Sequence, residues 1–258
     1  MTTRLTRVIK IGGRVQRDAR LADVLAQLWS QVPGSFCVVH GGGETISTLQ
    51  TQLGGAPKFV AGRRVTTEGD IEVLRMALSG VANKQLVSSL SAKGIPAVGI
   101  SGEDGSLIVA HTMDAATLGR VGAPTDVDPD VICTLLAGGF LPVISPVSRD
   151  GDARSGGALN VNADEAAAAI AATMDAEELL LISDVSGVII DGVAASTLSG
   201  DEAAHAIERG IATEGMATKL RAALEALKRG VPAVRIGGLE ALLDSTLGTT
   251  LLAATQLA

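Results

Sequence analysis

Short apolar runs, each closed by glycine or a polar cluster, alternate along the chain with longer stretches whose apolar positions recur at helical spacing. Arg7-Val8-Ile9-Lys10-Ile11 predicts a strand that stops at Gly12-Gly13, and residues 21–32 predict a helix. Phe36-Cys37-Val38-Val39-His40 predicts a second strand, again closed by glycines, and 45–53 a second helix. Residues 67–93, with Ile71, Leu74, Leu78, Val81 and Leu86, predict one long helix or two abutting ones. Strands are expected at 97–100, 141–144 and 233–236, and helices at 164–175 and 216–229. Leu179-Leu180-Leu181-Ile182 is apolar at every position, the pattern of a strand buried on both faces. Strands alternating with helices imply an α/β fold around a mainly parallel sheet.

Composition narrows what such a fold does. The chain has 258 residues, 47% of them hydrophobic, which excludes a disordered chain and suffices for one large domain or two lobes. Its formal charge of −7 excludes a nucleic-acid binder but not a site for small anions, because backbone N–H groups and a few lysines bind those locally. Aromatic residues make up 2%, too few for base-stacking platforms. Cys37 and Cys133 lie in apolar runs and are expected to be buried structural thiols; the three histidines are scattered and give no zinc spacing. The longest apolar stretch, residues 131–147, is broken by Gly138-Gly139 and Pro142 and is shorter than the ~20 residues a membrane helix needs. With no signal-like start, the expectation is a soluble cytoplasmic protein that avoids membranes.

Six polar clusters carry candidate chemistry. Lys10-Ile11-Gly12-Gly13 joins an ammonium to glycines whose amides approach an anion unobstructed. His40-Gly41-Gly42-Gly43 precedes a helix and forms a second anion cradle, with His40 itself a structural strand-end residue. Gly62-Arg63-Arg64-Val65-Thr66 offers a guanidinium for a carboxylate, and chemistry alone does not choose between Arg63 and Arg64. Asn160-Val161-Asn162-Ala163-Asp164 opens the Ala-rich helix with more polar residues than a simple cap needs. Ser183-Asp184-Val185-Ser186-Gly187-Val188 follows the buried strand. In Thr213-Glu214-Gly215-Met216-Ala217-Thr218-Lys219 the lysine lies near a helix start, where the dipole disfavours it and a bound anion would account for it. No Walker P-loop, dinucleotide fingerprint or nucleophile elbow is present.

In this order, together with Ala82-Asn83-Lys84 and Leu118-Gly119-Arg120-Val121-Gly122, the clusters resemble the amino acid kinase family over nearly the whole chain. The resemblance implies a three-layer αβα sandwich. It implies one kinase domain over 1–258, with an N-lobe (about 1–177) for the acyl-amino acid and dimer contact and a C-lobe (about 178–258) for ATP. The expected reaction is phosphoryl transfer from ATP to the side-chain carboxylate of N-acetyl-L-glutamate, in arginine biosynthesis. Mg²⁺ would ride on the nucleotide, with no metal site on the protein. By position, Lys10 and Lys219 match the transition-state lysines, Asp164 the residue that holds them, and Gly12 a loop that meets the phosphoryl group. Gly42, Gly43, Arg64 and Asn160 match acyl-glutamate-binding positions. Asp184, Val185, Ser186, Gly187, Val188, Ile189, Ile211, Ala212 and Thr213 match the nucleotide loops. Gly62-Arg63 before Arg64, and Glu214 where aspartate is common, depart mildly from the pattern. Arginine-inhibited members carry an extra N-terminal helix, so nine residues before Lys10 imply an arginine-insensitive homodimer, with 67–93 as its contact face. A kinase of N-acetyl-2-aminoadipate or a related acyl-amino acid, and a non-catalytic sensor, are the competing readings.

Overall fold

Strand β1 (Arg7–Ile11) sets the layers, because successive side chains point to opposite faces. In the computed structural model, which describes residues 5–153, 156–190, 192–212 and 214–252, Val8 enters one apolar layer while Ile9 and Ile11 enter the other. Helix α1 (Leu21–Gln31) and strand β2 (Phe36–His40) follow, then α2 (Gly43–Gln52) and a hairpin of β3 (Phe59–Val60) and β4 (Arg63–Arg64). Ala61 and Gly62 at its turn both have positive φ, +48° and +76°, as a two-residue primed hairpin turn requires. α3 (Glu68–Leu74), a π-helical stretch (Arg75–Ala82) and α4 (Asn83–Ala92) run on as one rod.

Strands β5 (Ala97–Gly102), β6 (Ile108–Thr112) and β7 (Val121–Val127) precede α5 (Asp130–Ala137), β8 (Leu141–Asp150), β9 (Ala158–Val161) and α6 (Ala163–Thr173). The chain closes with β10 (Glu178–Ile182), a hairpin of β11 (Ile189–Ile190) and β12 (Val193–Ala194), and β13 (Thr197–Ser199). Then come α7 (Gly200–Glu208), α8 (Glu214–Lys228), β14 (Ala233–Gly237) and β15 (Thr249–Leu252).

Eleven strands form one sheet in the order β13-β15-β14-β10-β1-β2-β8-β6-β7-β9, with β5 also on β8. From β14 through β8 to β5 every pairing is parallel; β15 on β14, β7 on β6 and β9 on β8 are antiparallel. The far half of β8 carries both β6 and β9, and β7 joins those two, so these four strands close on themselves. Helices α1 and α4 cover one face; α6 and α8 cover the other. Ala166 through Ala171 are all buried, because α6 lies between the sheet and α8, and small side chains allow that close approach. The αβα expectation is borne out.

Several features differ from the sequence reading. The β6–β9 ring and α5 are unpredicted, since their strands mix polar and apolar positions and residues 131–137 read as part of one apolar run. Cys133 is exposed: helical rotation buries Ile132 and Leu136 and turns it outward. Cys37 is buried as expected, and desolvation pushes its thiol up to about 12.

Candidate active site

Parallel strands deliver their carboxyl ends to one edge of the sheet, and the predicted clusters meet there. The pleat turns Lys10 toward α6, where its Nζ lies 2.8 Å from Asp164 Oδ1. Lys219, on α8, reaches the same carboxylate, 3.4 Å from Oδ1 and 3.3 Å from Oδ2. The two ammonium groups, 209 positions apart in sequence, therefore share one oxygen. Asn162 caps α6 by accepting from the Asp164 and Glu165 amides, so Asp164 lies in a helix first turn where negative charge is favoured. Asp164 is 4% exposed. Burial drives its pKa up, but Lys10 and Lys219 together outweigh that and leave it below the ordinary aspartate value. Desolvation, reinforced by Lys10, lowers Lys219 to about 8. The lysine's place on α8 is thus accounted for by a carboxylate of the protein itself.

On one side of Lys10 is a cavity of about 250 Å³ reached by Gly42, Gly43, Arg64, Asn160 and Asp164. All four residues matched to acyl-glutamate binding line it. The loops after β1 and β2 face each other across its floor: a Cβ added at Gly13 would lie 3.5 Å from Gly42 N and 3.7 Å from Gly43 N. Gly42 is the N-cap of α2 and has no side chain to satisfy the first amides. Gly12 N–H donates to Ile182 O at 2.8 Å and extends the sheet, and Gly12 itself lines the cavity on the other side of Lys10. The structure separates the two arginines. Arg63 pairs with Glu165, while Arg64 is 8% exposed and donates to Gln50 Oε1, Gly43 O and Ser47 Oγ, all neutral. Burial pulls its pKa below the usual arginine value, with Asp70 opposing. Asn160 donates to Thr66 Oγ1 at 2.9 Å, which fixes its amide at the cavity wall.

On the other side of Lys10, a cavity of about 430 Å³ is reached by Gly12, Gly13, Asp184, Val185, Gly215 and Lys219. Of the residues matched to the nucleotide loops, Asp184 and Val185 line it; Arg14 holds Asp184 at 2.7 Å and keeps its pKa low. Ser186 lines a neighbouring cavity. Gly187 lies against Thr249, and Val188 is buried, its amide donating to Thr249 Oγ1. Ile189 and Ile211 are exposed, Ala212 packs on the core, and Thr213 lies outside the described residues. The donor set fits a polyphosphate: Lys10, Lys219, the Gly12-Gly13 loop, and Ser183, whose buried hydroxyl has no partner among the described residues. Among the described residues, no cluster of three or more His, Cys, Asp or Glu side chains could hold a metal ion.

His40 is structural, as expected. Its Nδ1–H donates to Gly41 O and its Nε2 accepts from Asn83 Nδ2; burial lowers its pKa to about 4, so the ring is neutral. Sequence reasoning missed Gln50 and Ser47, which read as the polar face of α2, and the apolar wall formed by Phe59, Leu78, Val121 and Pro146. Phe59 was legible as an apolar residue flanking a turn, and its ring sits 4.7 Å from the Arg64 guanidinium carbon.

Comparisons with known proteins bear on the family and the fold. The model of the amino acid kinase family matches residues 6–238. Acetylglutamate kinase from Roseiflexus castenholzii is 42% identical over 250 residues, covering 96% of this chain and 94% of that protein. The enzyme of the same name from Geobacillus thermodenitrificans is 42% identical over 236 residues, covering 90% and 89%. Among solved structures, N-acetylglutamate synthase from Neisseria gonorrhoeae superposes with a TM-score of 0.81 at 24% identity, over 97% of this chain and 60% of that one. Carbamate kinase from Giardia lamblia bound to AMP-PNP gives 0.72 at 18% identity, over 98% and 100%. These two structures speak for the fold alone. No helix among the described residues is long and apolar enough to cross a membrane. Family model and relatives together show that the chain belongs to the amino acid kinase family.

Proposed function

We propose that the chain transfers the γ-phosphoryl group of ATP to the side-chain carboxylate of N-acetyl-L-glutamate, giving N-acetyl-L-glutamyl 5-phosphate and ADP, a step of arginine biosynthesis. One observation carries the reading: two cavities meet at Lys10 and Gly13, where Lys10 and Lys219 flank Asp164. The acceptor occupies the cavity with Arg64 and Asn160; the nucleotide occupies the cavity with Asp184 and Lys219. A bond forms between a carboxylate oxygen and the γ-phosphorus as the bond to the bridging oxygen breaks. The carboxylate is ionised at neutral pH, so no general base is required. What the reaction needs is alignment of two anions and neutralisation of their charge.

Lys10 and Lys219 supply that charge, and Asp164 holds both ammonium groups on one axis. The amides of Gly13, Gly42 and Gly43 meet the transferring oxygens, and Gly12 leaves room beside them. When bound to the nucleotide phosphates, Mg²⁺ would supply further charge neutralisation there, beside Lys10 and Lys219. Residues of about 1–177 serve the acceptor and those of about 178–258 the nucleotide. The protein works in the cytoplasm. It works as a homodimer through the face of the π stretch and α4, where Met76 and Val81 are exposed.

A coupled ADP-release assay with N-acetyl-L-glutamate and N-acetyl-2-aminoadipate tests the reaction. Turnover is expected with the first and a lower kcat/KM with the second. Lys219→Ala is expected to cut kcat by more than tenfold. Well-folded protein with no turnover of either acid would overturn the reading.

A further inference from the structure

Arg64 is a buried cation without an acid. Among the described residues, no carboxylate lies within ion-pairing distance of its guanidinium, and its acceptors are the Gln50 side chain, the Gly43 carbonyl and the Ser47 hydroxyl. Buried charges are ordinarily paired, because removing a charge from water is costly. Arg63 shows the ordinary solution one residue away, with both Nη atoms bonded to Glu165.

The acid that would complete Arg64 stands just behind Gln50. Gln50 Oε1 accepts from Arg64 Nη1 at 3.0 Å, and Gln50 Nε2 donates to Asp70 Oδ1 at 2.8 Å. Asp70 is anchored from its other oxygen, which accepts from Thr67 N and Oγ1 in the capping box of α3. Gln50 is 6% exposed, on the last turn of α2, and a Cβ added at Gly55 would touch its Cγ at 3.0 Å. Its amide is therefore fixed between a guanidinium and a carboxylate, offering an acceptor to one and a donor to the other.

We propose that Gln50 is a positioning residue for the acceptor: it orients Arg64 through a neutral amide and keeps Asp70 off it, so that the positive charge remains for the carboxylate of an acyl-amino acid. The inference rests on reading the Arg64 cavity as the acceptor site. A glutamate at position 50 would have nearly the same shape and would neutralise the guanidinium from within. That makes charge, rather than packing, the property under test.

Gln50→Glu and Gln50→Met are compared with wild type by titration calorimetry with N-acetyl-L-glutamate and by steady-state kinetics. In Gln50→Glu, Kd and KM for the acid are expected to rise at least about tenfold, or about 1.4 kcal/mol. KM for ATP and kcat at saturation should stay within about twofold, the signature of lost ground-state binding. Gln50→Met removes both hydrogen bonds without adding charge; its KM for the acid should rise about threefold, again with ATP unaffected. Should the glutamate variant fail to fold, the methionine variant alone decides. An unchanged Kd for the acid in the folded variants, or equal losses toward both substrates, would overturn the proposal. Wild-type protein that binds the acid without phosphorylating it would defeat the reaction and leave the binding comparison intact. Wild-type protein that does not bind the acid would overturn both.

Discussion

Lys219 shows how one residue's surroundings set a measurable property of the whole site. Burial and Lys10 lower its pKa to about 8, while Asp164 pulls the other way. Well above pH 8 most free molecules hold it neutral, and at pH 6.5 few do. A nucleotide polyphosphate favours the charged form, so binding at pH 8.5 should take up a fraction of a proton, and binding at pH 6.5 very little from this group. The sign follows from the folded pKa: above pH 8 the free site lacks a charge that the complex requires, so affinity falls and KM for ATP climbs as pH rises. Calorimetric titrations with ATP in buffers of different ionisation enthalpy measure the uptake, and Lys219→Met should abolish its pH dependence. Equal uptake by wild type at the two pH values would show that another group titrates on binding.

Among the elements, the segment after β4 depends on a glycine far along the chain. Thr66 forms an isolated parallel bridge with Gly119; its N–H donates to Leu118 O and its carbonyl accepts from Arg120 N at 2.7 Å. Gly119 has φ +69°, and a Cβ there would lie 2.3 Å from the Thr66 carbonyl oxygen. Gly119→Ala should therefore combine backbone strain with a clash that no side-chain rotation relieves. The expected loss is about 3 kcal/mol, or roughly 10 °C in Tm. Because Thr66 Oγ1 holds Asn160, KM for the acceptor should rise as well. Gly54→Ala is the control: φ is +85° but nothing lies within 4 Å, so its cost should be near 1 kcal/mol and confined to stability. Calorimetry on the two variants separates the terms.

Elements of this kind also mark what the sequence disclosed. Lysines and glycines at strand ends were legible, because their placement makes chemical sense even before the strands are assembled. Side-chain chemistry leaves Arg63 and Arg64 equal and the family resemblance alone favours Arg64; the fold supplies the physical difference between them, Glu165 against Gln50. Gln50 and Asp70 belong to different helices, and no local pattern shows that an amide separates two charges. The β6–β9 ring was hidden because its strands mix polar and apolar positions and its closure depends on two long-range pairings, β6 with β8 and β7 with β9.

For the molecule as a whole, the shared residues of the two cavities constrain the order of events. Lys10 and Gly13 line both, so on the proposed reading acceptor and nucleotide meet at one point. A phosphorylated enzyme would need a side-chain nucleophile at that point. Asp164 is the nearest carboxylate, but it is buried and held by both ammonium groups. His40 is neutral and bonded on both ring nitrogens, away from the junction. Transfer should therefore require both substrates together. Steady-state plots at several fixed concentrations of each substrate should intersect rather than run parallel, and labelled ADP should not exchange into ATP without the acyl-amino acid. Exchange at a rate comparable to turnover would demand a covalent intermediate, and the Ser183 hydroxyl in the nucleotide cavity would then be the nucleophile to test.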